Sequence, residues 1–453
     1  MDDPMAQYGV GEGALQKLTS PAAVKAARKD NSNYWSADPS TLLSSANVHE
    51  RAESEVILVT CFWAQSSTSD DLGQSLRKLS TKAQHGNRTI RVRICFSSSS
   101  LWQKLSQTAS LTGKNWPSSR WQSHLSLPPA HELPGLDLTV RSIFQLPFSV
   151  MHPKFVIVDR QRVLLPSCNV SWESWFEGCV DLNGPIVHQF LRFWQSFWAE
   201  KGDRHERSLA DLPSDVEILT TQAPPTSGLL SCSGYTERNI PAMFLPSPNH
   251  RFSLPWLSSE RPPPTPLNIY LLTLFTRAEQ HIYMQTPNLT SEVVLTELLA
   301  ALERGVDVTV VTSRKLMRLE QIVTAGTTTQ RCVRWLIKQH KILLHRCSSA
   351  STTADVEAGL VSRTPGRLII RFYEPRAAAD RADDEPVQSH LKLLLVDAKI
   401  AVFGSGNMDR ASWHTSQELG LALTSESLVK DVWQHLSIAM EGRSTTEYDS
   451  KKV

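Results

Sequence analysis

Apolar and polar positions along the chain fall into two runs of strands and helices in the same order. A strand pattern, EVILVTCFWA, begins at Glu55. It is followed by SDDLGQSLRKLSTKAQHGN, apolar at helical spacing behind an Asp-rich first turn, and by the strand IRVRICF at Ile90. The order recurs at His281 with HIYMQTPNL, the helix SEVVLTELLAALERG and the strand VDVTVVTS at Val306. Each run continues with LTVRSIF at Leu138 or RLIIRFY at Arg367, then an apolar strand preceded by a histidine, then one more strand. Amphipathic helices close both runs, HQFLRFWQSFWAE at His188 and SLVKDVWQHLSIAM at Ser427. In the first of these, Phe190, Phe193, Trp194, Phe197 and Trp198 take the i, i+3, i+4, i+7, i+8 spacing of a buried helical face.

A repeat of about 240 residues is too long for a solenoid and suits two fused α/β lobes, each a mixed sheet flanked by helices. The expected organisation is an N-terminal extension over 1–50, a first lobe over 51–200, a Pro/Ser-rich linker over 201–265 and a second lobe over 266–445. In the extension, SPAAVKAARK predicts a helix with Ser20 as N-cap and Pro21 at its first position. In the linker, the apolar AMFL at Ala242 predicts an added strand. The loop NHRFSLPWLSSERPPP from Asn249 offers Phe252, Leu254, Trp256 and Leu257 for lipid docking or as a lid, against the plainer reading of a packed linker. Polar insertions at 346–366 and from Glu374 precede the second histidine.

A chain of 453 residues with 41% hydrophobic content can bury substantial cores. Its 47 basic and 45 acidic residues nearly cancel to +2, which excludes the bulk charge of a dedicated nucleic-acid binder but leaves room for a local basic groove. Seven scattered cysteines without CxxC spacing read as reduced thiols, not a disulfide or zinc framework. The acidic N-terminus lacks a signal-peptide pattern, and no run approaches the ~20 apolar residues of a spanning helix. An intracellular protein is expected, cytoplasmic or peripheral on an internal membrane, and not secreted.

The candidate chemistry is duplicated. SVMHPKFVIVD carries His152, Lys154 and Asp159; SHLKLLLVD carries His390, Lys392 and Asp397. Both copies continue alike, with Ser167 and Asn169 matching Ser405 and Asn407, and Ser174-Trp175 matching Ser412-Trp413. An acid follows in each, Glu177 and Glu418, the first arriving three residues earlier. At about 5% usage per residue type, three fixed positions arise by chance about once in twenty chains of this length, so two copies with matching flanks are a duplicated site. The apolar FVIV and LLLV mark strands covered on both faces. Asp159 and Asp397 lie at the far strand ends, where acids serve in hairpin turns or packing.

One imidazole cannot attack a phosphorus atom and protonate the leaving group in the same step; two can. Lys154 and Lys392, with the amides of Asn169 and Asn407 and the hydroxyls of Ser167 and Ser405, suit phosphoryl oxygens. Glu177 and Glu418 are candidates to hold the imidazoles in one tautomer. A metal held by the two histidines and carboxylates is disfavoured, because lysines beside them repel a cation. No cofactor is expected.

These residues resemble the phospholipase D superfamily, whose signature is two HxKxxxxD motifs each followed by a GSxN-type segment, here HPKFVIVD with PSCN and HLKLLLVD with GSGN. The likeness runs from about Glu55 to Met440. It implies a two-lobed α/β fold with both motifs meeting at a pseudo-twofold interface, and a phosphohistidine intermediate. His152 would attack phosphorus, and His390 would protonate the leaving alkoxide and then activate water or an alcohol. The first copy departs from the pattern at Pro166, at Cys168 and in the early Glu177, which bears on the local geometry of Glu177.

The leading functional expectation is a phosphodiesterase that hydrolyses or transfers phosphatidyl groups, as a cardiolipin synthase does, with a phospholipid substrate reached by peripheral membrane contact. The runner-up is a nuclease or DNA-end-processing enzyme of the same superfamily. The end-processing branch typically lacks the motif aspartate, present here twice. An inactive scaffold is the third reading. Two lobes in one chain remove the need for a dimer and leave the oligomeric state open.

Overall fold

The structure, a computed structural model, describes residues 19–25, 35–36, 52–99, 113–144, 150–200, 236–248, 261–350, 364–377 and 385–452. The first lobe comprises β1 (Thr19–Lys25), β2 (Trp35–Ser36), β3 (Glu55–Phe62), α1 (Ser67–His85), β4 (Ile90–Ser98), β5 (Lys114–Asn115), α2 (Trp121–Leu125), β6 (Leu136–Ser142), β7 (Phe155–Val158), β8 (Arg162–Pro166), β9 (Trp175–Asn183) and α3 (Ile186–Phe197). The second comprises β10 (Thr236–Ser247), α4 (Pro266–Arg277), β11 (His281–Gln285), α5 (Glu292–Glu303), β12 (Asp307–Thr312), α6 (Arg318–Ala325), α7 (Thr329–Ala350), β13 (Leu368–Tyr373), β14 (Gln388–Ser389), β15 (Leu393–Val396), β16 (Ile400–Gly404), α8 (Arg410–His414), β17 (Glu418–Thr424), α9 (Glu426–Ala439) and β18 (Ser444–Asp449).

Each lobe forms an eight-stranded mixed sheet flanked by helices. The strand orders are β5-β6-β4-β3-β7-β8-β9-β1 and β18-β13-β12-β11-β15-β16-β17-β10. The strand-helix-strand units yield the parallel pairs β3–β4 and β11–β12, because a helical crossover returns the chain in the same direction. Antiparallel pairing of β1 with β10 joins the two sheets.

That join corrects one expectation. The segment read as a helix at Ser20 is strand β1, which also pairs with β9. Its short-range helical signals are overridden by tertiary pairing, and Pro21 stands opposite Pro241, so the two residues without an N–H share one site of the ladder. The strand expected at Ala242 is present as β10. Residues 201–235, and the docking loop from Asn249 through residue 260, lie outside the described residues, as do 351–363 and 378–384 of the two polar insertions.

Strand side chains alternate between two cores. Phe155, Ile157, Leu393 and Leu395 point into a central core shared by both lobes, where α3 and α9 lie between the sheets. Val156 and Val158 face an outer core under α1; Leu394 and Val396 face another under α4, α5 and α7. As its spacing predicts, α3 buries Phe190, Phe193 and Trp194, with Trp198 just beyond it also buried.

The two motif aspartates close hairpins at the strand ends far from the histidines. Asp159 and Arg160 have φ of 48° and 56°, and Asp397 and Ala398 have 52° and 53°, the left-handed pairs of a tight two-residue turn. The Asp159 carboxylate accepts from the backbone N–H groups of Glu53, Ser54 and Glu55 at 2.9, 2.7 and 2.9 Å. Asp397 accepts from Glu279, Gln280 and His281 at 3.0, 2.8 and 2.9 Å. Each aspartate thereby clamps the turn of its motif hairpin to the start of the neighbouring strand, β3 or β11.

Candidate active site

Just ahead of β7 and β15 the chain leaves its own sheet and pairs with the opposite lobe. The backbone N–H of His152 donates to the carbonyl of Gln417 at 2.9 Å, and Gln417 N–H donates back to Val150 at 2.8 Å. In the mirrored place, β14 runs parallel to the start of β9, and the N–H of His390 donates to the carbonyl of Phe176 at 3.0 Å. Gln417 and Phe176 are the residues immediately before Glu418 and Glu177.

This backbone exchange sets the side chains. His152 Nδ1 lies 3.0 Å from Glu418 Oε2, and His390 Nδ1 lies 2.7 Å from Glu177 Oε1. Each histidine is held by the other lobe's glutamate. Glu177 and Glu418 thus each stand beside an imidazole, with the partners crossed between lobes.

The hydroxyls of Ser167 and Ser405, expected on substrate, are instead committed to the glutamates. Ser167 Oγ donates to Glu177 and accepts from Gly178 N–H at 2.9 Å; Ser405 Oγ donates to Glu418 and accepts from Leu419 N–H at 3.0 Å. A buried carboxylate needs such donors, and each serine sits across a strand pair from its glutamate. Asn169 Oδ1 accepts from Phe62 N–H at 3.3 Å. Asn407 donates to Asp409 at 3.0 Å, while its buried Oδ1 has no hydrogen-bond partner among the described residues.

Both lysines fold back onto the histidine two residues earlier. Lys154 Nζ donates to the His152 carbonyl at 2.9 Å. Lys392 Nζ donates to the His390 carbonyl at 2.7 Å and also lies 2.8 Å from His390 Nε2. The two sites converge closely enough that the Lys392 charge acts on His152 and the Lys154 charge on His390.

Burial dominates the electrostatics. It lowers the pKa of His152 and takes His390 down to about 3, against the opposing pull of Glu418 and Glu177. Burial also brings Lys392 down to about 7. It opposes ionisation of both glutamates, but the facing histidines, then the serine hydroxyls and for Glu177 Lys392, outweigh it and hold them below the usual range. With neutral imidazoles, Nδ1–H of each ring donates to its glutamate. Nε2 of His390 then accepts from Lys392, whereas among the described residues nothing hydrogen-bonds Nε2 of His152. The side chain of His152 is 16% exposed and that of His390 6%.

Some features escape the sequence pattern. Trp175 packs on His390 with ring centroids 4.8 Å apart. Trp413, matched to it by spacing from the asparagine, is instead buried in α8. The three-residue shortening in the first copy removes α8's counterpart and brings Trp175 directly onto the strand that carries Glu177. Asp409 is also unanticipated; burial raises its carboxyl above the normal range, and it is held by Asn407 and by Ser412 N–H at 2.8 Å. Among the described residues no group of three His, Cys, Asp or Glu side chains gathers as a metal would require.

Residues 271–439 match the family described as cardiolipin synthase, PLD-like domain. That match covers the second lobe, with the second histidine motif inside it. No curated protein matches the sequence. The phospholipase D fold is shared with the crystal structure of phosphatidylserine synthase from Haemophilus influenzae Rd KW20, 14% identical over 98% of this chain and 92% of that one, with a TM-score of 0.53. The phospholipase D family member Nuc from Salmonella typhimurium, 16% identical, covers 40% of this chain and 90% of that one at a TM-score of 0.27. Polyphosphate kinase from Porphyromonas gingivalis, 11% identical, covers 98% of this chain and 51% of that one at 0.47.

Proposed function

We propose that this chain is a phosphodiesterase of the phospholipase D superfamily that hydrolyses or transfers phosphatidyl groups through a phosphohistidine. The observation that carries the reading is the pair of crossed His–Glu contacts, which gives two oriented imidazoles beside two buried lysines. In the first step Nε2 of neutral His152 forms a bond to phosphorus as the bond to the leaving alcohol breaks. The proton on Nε2 of His390 passes to that alkoxide. The imidazolium formed at His152 is stabilised by Glu418. In the second step water or an alcohol gives its proton to His390, its oxygen bonds to phosphorus, and the P–N bond breaks.

The greater exposure of His152 and its unengaged Nε2 support its role as nucleophile. His390, neutral before substrate binds, gains its proton when a phosphodiester anion arrives at the lysines, since a nearby negative charge favours the imidazolium. Lys392 then turns from Nε2 to a phosphoryl oxygen, with Lys154 and the amides of Asn169 and Asn407 beside it. Asp159 and Asp397 act as clamps on the two hairpins, not as reactants.

The test is a panel of phosphatidylcholine, phosphatidylglycerol, cardiolipin and single-stranded DNA, with an added alcohol as trap and products identified by mass spectrometry. The expected products are phosphatidate and the phosphatidyl ester of the trap, with turnover lost in His152→Ala and His390→Ala. Equal residual rates in all three proteins would refute catalysis at this site, and cleavage of DNA alone would replace the lipid reading with a nuclease.

A further inference from the structure

Helix α6 is amphipathic in the inverse sense. Its polar residues Gln321 and Thr324 are buried, while Leu319, Ile322 and Val323 are 82%, 46% and 44% exposed, with Met317 at the helix entry 44% exposed. Single exposed apolar residues are ordinary; four within seven positions, outside a helix whose inner face is polar, form a patch.

The inner face ties this helix to the candidate active site. Gln321 Nε2 donates to Asn288 Oδ1 and to the Leu316 carbonyl, both at 2.7 Å, and its Oε1 accepts from Thr329 N–H at 2.7 Å. Asn288 in turn reaches Asp409, the partner of Asn407, at 3.5 Å. Arg410, also buried, donates to the Thr324 carbonyl at 3.2 Å. The amide of Gln321 is thus satisfied inside the protein, which fixes the apolar face outward.

From this arrangement we infer that α6 docks the enzyme on an anionic lipid surface. The inference rests on the phosphatidyl reading and deepens it by assigning the contact with the bilayer. Charge complementarity selects this occupant: exposed Lys315 and Arg318 flank the apolar side chains against one exposed acid, Glu320. The first lobe contributes in the same sense. Trp172, three residues past Asn169 as Arg410 is three past Asn407, is 63% exposed, and indole side chains favour the interface between water and lipid. Each lobe therefore exposes an apolar group linked to its motif asparagine, by chain proximity in the first lobe and through Asp409, Asn288 and Gln321 in the second.

The experiment is co-sedimentation of the full chain with vesicles of phosphatidylcholine alone and of phosphatidylcholine mixed with phosphatidylglycerol. Wild type is expected on the mixed vesicles, less so as salt is raised. Combined Leu319→Ser, Ile322→Ser and Val323→Ser should weaken binding on the order of 10- to 100-fold. Lys315→Gln and Arg318→Gln should each cost roughly fivefold on anionic vesicles only. Ile438→Ser, which removes a 54% exposed residue of α9, should have no effect. Circular dichroism checks folding, and the single Leu319→Ser variant, expected to weaken binding in the same direction, stands in if the triple variant unfolds. Wild-type-like binding by the Leu319 variants, an equal loss in Ile438→Ser, or failure of wild type to bind vesicles while capturing a protein through this helix overturns the inference. Cleavage of a soluble short-chain phosphatidyl ester by wild type is measured separately: its absence sinks the phosphatidyl reading whatever the vesicles show.

Discussion

Nδ1 of His152 lies 3.0 Å from Oε2 of Glu418, a residue 266 positions later in the chain. The mirrored contact joins His390 to Glu177 at 2.7 Å, 213 positions earlier. Neither lobe contains a complete histidine-glutamate pair, so any chemistry that needs an oriented imidazole needs both lobes at once.

The crossed pairs predict separable defects. Glu418→Gln should slow formation of the phosphohistidine by about 100-fold or more, since the amide no longer stabilises the imidazolium. Glu177→Gln should slow release of a poor leaving group by a similar factor and be partly rescued by a p-nitrophenyl ester, which needs no proton. Burst kinetics with the two substrates check this; equal rescue of both variants would contradict the assignment of attack to His152.

Lys392, drawn down to about 7 by burial, predicts a basic limb in kcat/KM. Below that pH its ammonium is charged and can hold a phosphoryl oxygen; as pH rises through about 7 the charge is lost and the rate falls. The limb should be absent in Lys392→Arg, whose guanidinium stays charged, even if that variant is slower. A pH–rate profile with the limb unmoved would assign it to another group.

Removing a motif aspartate should cost stability rather than chemistry. Asp159→Asn trades four charge-assisted bonds, the Ser54 hydroxyl's included, and Asp397→Asn three, for at most two weak ones; each should lower unfolding free energy by roughly 2–3 kcal/mol, measured in urea. Burial opposes ionisation of both carboxyls, but the backbone donors outweigh it and hold them below 3.8. Their contribution is therefore present above pH 3.8 and lost as pH falls through the depressed value. The variants should have a shallower acid limb in stability and near-normal turnover per folded molecule.

Gly404 should not accept a side chain. A methyl carbon there would lie 2.3 Å from the Leu419 carbonyl oxygen, which is backbone and cannot swing aside. Gly404→Ala should destabilise by about 1–3 kcal/mol and, by shifting Ser405, disturb the hydrogen bond to Glu418. Urea unfolding and turnover measured together check this, and an unaltered midpoint would count against the geometry.

Much of this was legible in the order of amino acids. Period-two and period-3.6 patterns located the strands and helices that recur in both lobes but passed over α4 and the 22-residue α7, and the repeat of His, Lys and Asp marked a duplicated site. The place of Asp159 and Asp397 at the far strand ends already pointed to turn acids, because local geometry is enough to place a residue at a strand end. The SPAAVKAARK segment misled for the converse reason: its strand state depends on pairing with β10 and β9, which no short-range signal encodes.

The pairing of each histidine with the distant glutamate, the capture of both serine hydroxyls by those carboxylates and the outward turn of the apolar side of α6 came from the fold. Each depends on a contact between segments whose separation in the chain is unrelated to their separation in space. Spacing can nominate Glu177 and Glu418; only the exchange of backbone hydrogen bonds between lobes, which brings Gln417 to His152 and Phe176 to His390, selects which carboxylate faces which ring.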